Sequence, residues 1–199
     1  MENSKLKLIL ASTSPRRKEL LGHLKLPFEI RSQNVSEESS LTDPVAFSLE
    51  IARRKGDAVH EASQEKNLFI VSADTIVCLG NKIYGKPRDR DEARQFLSEL
   101  SGRTHSVFTA VAARCGERSF SFAEESKVTF APISNYLMER YLDSGDSLDK
   151  AGAYGIQNGS LTFISKVEGD YANVVGFPLS RFIKETETFF KDPAWYDYF

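Results

Sequence analysis

The segment Ser12-Thr13-Ser14-Pro15-Arg16-Arg17 crowds hydroxyls and guanidinium groups into a short stretch behind an apolar run at 6–11. Serine followed by proline predicts a helix start, with Ser14 at the N-cap and Pro15 at the first helical position. A helix N-terminus carries partial positive charge, so Arg16, Arg17 and Lys18 stand at the unfavourable end. An anion bound there removes the conflict. Free backbone N–H groups, the hydroxyls of Ser12, Thr13 and Ser14, and the forks of Arg16 and Arg17 together suit phosphate oxygens. The plain alternative is a solvated first turn with two surface arginines. The GxxxxGK[ST] pattern of P-loop nucleotidases does not occur.

Asp74 lies inside the apolar stretch FIVSADTIVCL. A carboxylate there is costly to bury unless it is paired, hydrogen-bonded or on a metal. It is either a fixed general base or metal ligand, or a structural aspartate at a turn between strands. In YGKPRD, Gly85 and Pro87 bracket Lys86 in a rigid turn. Arg53, Arg54 and Lys55 are consecutive on a helix, so they cannot all face the same way. In the polar loop, Glu37 or Glu38 supplies a second carboxylate. Two hard oxygen ligands plus phosphate oxygens suit Mg²⁺ or Mn²⁺. His23, His60 and His105 have no metal-ligand spacing and are taken as surface or packing residues. The glycine-rich DKAGAYGIQNG holds Asp149, Lys150, Tyr154 and Gln157, which suit hydrogen bonding to a small ligand, although the same composition makes an ordinary loop.

The elements that must position these groups follow from periodicity. Residues 6–11 predict a buried strand, 15–24 a helix and 28–31 a second strand. Residues 33–42 are loop-like. A long helix is expected over 44–62, capped by Thr42 or Asp43. LFIVSADTIVCLG is a strand pair or one long strand. A helix over 91–100 precedes a hairpin of strands 106–114 and 119–130, joined at CGER. A helix over 134–142, a strand over 161–167 and a closing helix over 178–190 complete the chain. The aromatic tail KDPAWYDYF docks either on the body or on another subunit. Helices and strands mix without strict alternation, which predicts an α/β fold with a mixed sheet.

The 199 residues, 41% hydrophobic with 14 Phe and 7 Tyr, suffice for one large domain or two closely joined lobes. The net charge of −2 argues against bulk nucleic-acid binding, while a small anion needs only a local basic cluster. Cys78 and Cys115 fall in strand-like runs and are expected as small hydrophobes. Residues 1–7 are polar and charged, and no apolar run nears the ~20 residues of a membrane span. A soluble cytoplasmic protein without membrane attachment is the expectation.

Taken in order along the chain, LILASTSPRRKELL, ADTIV, GKPRD, LSG, DKAGAYGIQ and NVVGFPL closely resemble the Maf family of nucleoside triphosphate pyrophosphatases, also known as septum-formation inhibitor proteins. The branch acting on dTTP and UTP fits best; the 7-methyl-GTP branch typically lacks PRR in this form and AYGIQ. The resemblance covers nearly the whole chain and implies one Maf-like domain over 1–199, in two closely joined lobes. The implied fold is α/β with a mixed sheet, flanking helices and a central cleft, similar to inosine triphosphate pyrophosphatase, and often a homodimer. It implies Asp74 as proton acceptor, and Ser12, Arg16, Arg17, Glu37, Lys55 and Lys86 around the phosphates and a divalent metal. Arg16, Thr75 and Gln157 match positions linked to substrate choice. The implied reaction converts dTTP or UTP to monophosphate and pyrophosphate, with Asp74 and Glu37 as metal ligands. Many members carry acids in a DVDE-like loop; here NVSE puts Asn34 and Ser36 in their place and lowers the negative charge. Two other readings are a pyrophosphatase for non-standard purine triphosphates and a non-enzymatic nucleotide-binding regulator of cell division.

Overall fold

The computed structural model describes residues 5–199. Its elements are β1 (Lys7–Leu10), α1 (Pro15–Gly22), β2 (Phe28–Ile30), α2 (Pro44–Glu61), β3 (Leu68–Leu79), β4 (Lys82–Tyr84), α3 (Arg90–Leu100), β5 (Thr104–Cys115), β6 (Arg118–Phe130), α4 (Asn135–Asp143), β7 (Ile164–Glu168), α5 (Tyr171–Val175) and α6 (Leu179–Phe190). Short 3₁₀ turns occupy Ala151–Ala153, Gly159–Thr162 and Trp195–Tyr198. The strands form one mixed sheet in the order β2-β1-β3-β5-β6-β7, with β4 paired to β3. β1 pairs in parallel with β2 and β3, across the crossovers that hold α1 and α2. The β3, β5, β6 and β7 ladder is antiparallel. The fold is mixed α/β, as expected from the sequence.

Alternation along β3 divides the core. Phe69, Val71 and Ala73 pack with Leu21 of α1, Phe182 of α6 and the tail residues Trp195 and Phe199. Two residues on from Thr75, Val77 joins a second cluster with Leu97 of α3 and Met138 of α4. Thr75 therefore lies on that face between the two clusters. The opposite face of β3 meets α2. Ser72 donates to the Ala52 carbonyl at 2.6 Å, and a Cβ on Gly56 would come within 2.9 Å of Ser72 Oγ. That close approach presses α2 onto the strand. Ser48, Ile51, Ala52, Gly56 and Val59 form its buried stripe, and Lys55 falls on the same stripe.

Several expected boundaries shift for local reasons. LFIVSADTIVCLG is one long strand whose end turns back into β4 through Gly80 at φ 59°. α1 stops at Gly22, and Lys25 takes a left-handed φ of 58°. The strand expected from 161 begins at Ile164, because hydroxyls claim nearby carbonyls. Ser160 donates to Gly155 O at 2.6 Å and Thr162 to Gly159 O at 2.7 Å. α5 was not expected; Asp170 caps it by accepting from Ala172 N at 2.8 Å. Of the two caps expected for α2, Asp43 serves, and Asp89 caps α3. The aromatic tail docks on the body: Trp195 is fully buried, and Leu6 N donates to Tyr198 O at 2.7 Å. Cys78 is buried and Cys115 partly so. Among the described residues, no helix is long and apolar enough to cross a membrane.

His105 is a packing residue. Its Nε2 pairs with Tyr154 Oη at 2.7 Å, and its ring meets Phe130 edge-on. Burial lowers its pKa to about 4. The folded state holds the neutral ring, whereas the unfolded chain takes a proton once pH falls below ~6.5. The resulting stability is complete above that value and is lost as pH falls toward about 4, a change of about 3 kcal/mol. Melting curves between pH 7 and 4.5 should show a smaller acid loss for His105→Gln than for the parent. Parallel curves would remove His105 as a cause.

Candidate active site

A cleft of about 690 Å³ opens beside β3, within the usual range for small-molecule sites. Its walls come from the β1–α1 loop, the connection before α2, the turn after β4 and the 149–157 segment. Ser12, Ser14, Arg16, Arg17, Glu37, Lys55, Asp74, Thr75, Lys86 and Gln157 all line it.

Ser12 Oγ accepts from Ser14 N at 3.2 Å and from Arg17 Nη1 at 3.4 Å. Ser14 holds the N-cap position, with Pro15 behind it, yet its side chain makes no capping bond. Its hydroxyl is therefore not committed to the helix. Arg16 Nη1 reaches Asp149 Oδ2 at 3.2 Å, and Lys150 pairs with the other oxygen of the same carboxylate. Burial opposes ionisation of Asp149, but hydrogen bonds from Lys150 and Arg16, with their charges, hold its pKa below the ordinary value. Arg17 is placed differently. Its Nε donates to Gly176 O at 3.0 Å and its Nη2 to Thr75 Oγ1 at 3.0 Å. Gly176 has φ 123°, and a Cβ there would come within 3.3 Å of Thr75 Oγ1.

Asp74, 7% exposed, lies on the α2 face of β3. Lys55 Nζ is 2.7 Å from Asp74 Oδ1 and 2.7 Å from Glu37 Oε1, so one ammonium bridges two carboxylates. Lys86 approaches the other Glu37 oxygen at 3.4 Å. Burial pushes the Glu37 pKa up. The hydrogen bond and charge of Lys55, with Lys86, outweigh that and hold it below the ordinary carboxylate value. Of the two acids the sequence offers, Glu37 lines the cleft and pairs with Lys55. Arg54 Nη1 grips the carbonyls of Ser36 at 2.6 Å and Glu38 at 2.9 Å, while its Nη2 pairs with Glu50 at 2.6 Å. This brace, which no local sequence pattern encodes, steadies the loop that carries Glu37. Arg53 turns away to Ser121.

Asp74 and Thr75 occupy opposite faces of β3 yet both border the cleft. Gln157 is exposed on the cleft wall. Gly152 lets its turn press against β3: its φ is 68°, and a Cβ would meet Val77 at 2.9 Å. No group of three or more His, Cys, Asp or Glu side chains suited to a metal occurs among the described residues. The oxygen donors that converge are Asp74 and Glu37.

The profile of the Maf family, described as Maf-like protein, matches residues 7–189. The chain belongs to the Maf family. A Deinococcus radiodurans relative is 42% identical over 178 residues, covering 89% of this chain and 90% of that protein. One from Carboxydothermus hydrogenoformans is 43% identical over 182 residues, covering 90% and 97% respectively. A Bacillus cereus relative is 41% identical over 184 residues, covering 92% and 95%. All three are named dTTP/UTP pyrophosphatase. The Maf profile spans every residue that lines the cleft.

Proposed function

We propose that the chain hydrolyses dTTP and UTP to the nucleoside monophosphate and pyrophosphate. The observation that carries this reading is the buried Asp74, joined through Lys55 to Glu37 across a cleft that also holds Arg16 and Arg17. The names of the relatives supply the substrate class. The β1–α1 loop and Arg16 bind and orient the triphosphate, exchanging Asp149 for phosphate oxygens. Such positioning and charge stabilisation dominate phosphoryl-transfer catalysis. Asp74 accepts the proton of the water that attacks the α-phosphorus. Lys55 and Lys86 stabilise the departing pyrophosphate, and the amide of Gln157 offers a donor and an acceptor to the pyrimidine edge.

The residues fit a divalent cation of the Mg²⁺ or Mn²⁺ class. Such ions are held by one or two carboxylates together with substrate phosphates, and Asp74 and Glu37 supply that pair. When bound, the ion would neutralise charge on the phosphate oxygens.

Incubation with a nucleotide panel and Mg²⁺ or Mn²⁺, followed by product identification, tests the reading. UMP or dTMP with pyrophosphate is expected, lost in excess chelator. Orthophosphate with a nucleoside diphosphate would place attack at the γ-phosphorus and overturn the mechanism. Preference for ITP would move the substrate class to non-standard purines, and absence of turnover with every nucleotide would leave only a binding role.

A further inference from the structure

Thr109 of β5 is fully buried and lies directly opposite Thr75 in the β3–β5 register. Its Oγ1 donates to the carbonyl of Asn173 at 2.9 Å and lies 2.9 Å from Thr75 Oγ1. A threonine hydroxyl has one proton, and a carbonyl can only accept. The Thr109 proton is therefore committed to Asn173, and Thr75 must donate to Thr109. Thr75 then has no proton left for a ligand. It presents only lone pairs, one of which receives the N–H of Arg17 Nη2 at 3.0 Å. Hydrogen bonds thus run in one direction, from Arg17 through Thr75 and Thr109 to Asn173.

This chain ties the guanidinium to neutral acceptors. Arg17 also donates to the Gly176 carbonyl, and its remaining hydrogen bond among the described residues is the long one to Ser12 Oγ. No carboxylate hydrogen-bonds to it among the described residues, in contrast to Arg16 and Lys55. Its charge therefore remains uncommitted to an ion pair while its orientation is held from behind. A guanidinium held in this way is pre-organised, so little freedom is lost when an anion arrives.

We infer that Thr109, one strand behind the cleft and touching no substrate, is a positioning residue for Arg17, acting through Thr75 to aim the guanidinium at the phosphate chain of the substrate. The inference rests on the triphosphate reading above. It also assigns Thr75 to Arg17 and leaves it no donor with which to read a base carbonyl.

The test compares the parent, Thr109→Val, Thr109→Ser, Thr75→Val and the Thr75→Val/Thr109→Val double variant. Two quantities are measured: kcat/KM for UTP, and the affinity for pyrophosphate alone by calorimetry, which needs no turnover. Valine keeps the shape and removes the hydroxyl. Loss of one oriented hydrogen bond predicts a fall of about 10-fold in both quantities for Thr109→Val. Thr109→Ser should restore both. In the Thr75→Val background the same change should add nothing, because the link it acts through is already gone. A purely structural threonine would weaken both backgrounds alike and lower the melting temperature in step. A folded Thr109→Val that binds pyrophosphate like the parent overturns the inference, as does full additivity with Thr75→Val. If Thr109→Val does not fold, Thr109→Cys, a weak donor, carries the same expectation. A parent that binds pyrophosphate but turns over no nucleotide would sink the enzymatic reading while the Arg17 chain stayed testable by calorimetry. A parent that binds no pyrophosphate would overturn both.

Discussion

Asp74→Asn is expected to lower kcat for UTP at least ~10²-fold, a usual scale for losing a positioned acid or base, while the protein still folds. The amide has nearly the same shape as the carboxylate and fills the same place in β3. Its oxygen still accepts from Lys55, and that ammonium keeps its second partner, Glu37, at 2.7 Å. No cation is therefore stranded, which is the usual reason that breaking a buried pair unfolds a protein. What the variant loses is chemical: an amide does not take a proton from water, and it is a poorer ligand for a hard cation. The side chain is 7% exposed, so bulk water reaches it only through the cleft. Steady-state kinetics and melting curves on the same preparation decide the matter. Turnover near the parent's, with an unchanged melting temperature, would reduce Asp74 to a structural role.

The parts of this site that could be read from sequence are those encoded locally. An apolar run, a polar turn and Ser-Pro specify strand, loop and helix start within a few residues, so the loop that lines the cleft is visible before any folding is considered. Asp74 is visible because a carboxylate among apolar strand residues needs a reason. Lys55 was visible only in part. Three consecutive cations obscured it, yet Ile51, Lys55 and Val59 repeat at helical spacing, and Ile51 and Val59 are buried. That stripe carries the signal that separates Lys55 from its neighbours. The choice of Glu37 over Glu38 depends on Arg54 reaching back across the chain, a contact that no local pattern encodes. α5 is too short to display a helical period, and the hydroxyls of Ser160 and Thr162 displaced a strand that composition favoured. Thr109 resembles any threonine in a strand until the register sets it against Thr75. The 149–157 segment owes its form to close approach, Gly152 against Val77 and Gly155 against the Lys150 stem.

Lys55→Met should lower kcat/KM for UTP roughly 10²-fold, toward the low end of the cost of truncating one member of a buried charge pair, and should weaken the acid response of Glu37. The Lys55 side chain is 15% exposed and touches Asp74 and Glu37 at once. With the ammonium gone, two carboxylates face one another. The Glu37 side chain is 46% exposed, which limits the loss of stability because the group can move toward water and Lys86. In the parent, burial favours protonation of Glu37, but Lys55 and Lys86 prevail and its pKa lies below the ordinary value. Its contribution to stability is therefore present above the unfolded pKa and is lost as pH falls through the folded one. In the variant, Lys86 alone opposes burial and the nearby Asp74 carboxylate, so the Glu37 pKa rises relative to the parent. The folded pKa then lies nearer the unfolded one, so less of the stability depends on Glu37 staying ionised as pH falls. Melting temperatures between about pH 4 and 7 should thus gain less with rising pH in Lys55→Met than in the parent. Without the bridging ammonium, the two carboxylates should also make the variant gain more from added Mn²⁺ than the parent does, since a ligand that binds the folded state raises its stability. Equal pH slopes and equal gains with Mn²⁺ would show that Lys55 is not the counter-ion that holds these two carboxylates together.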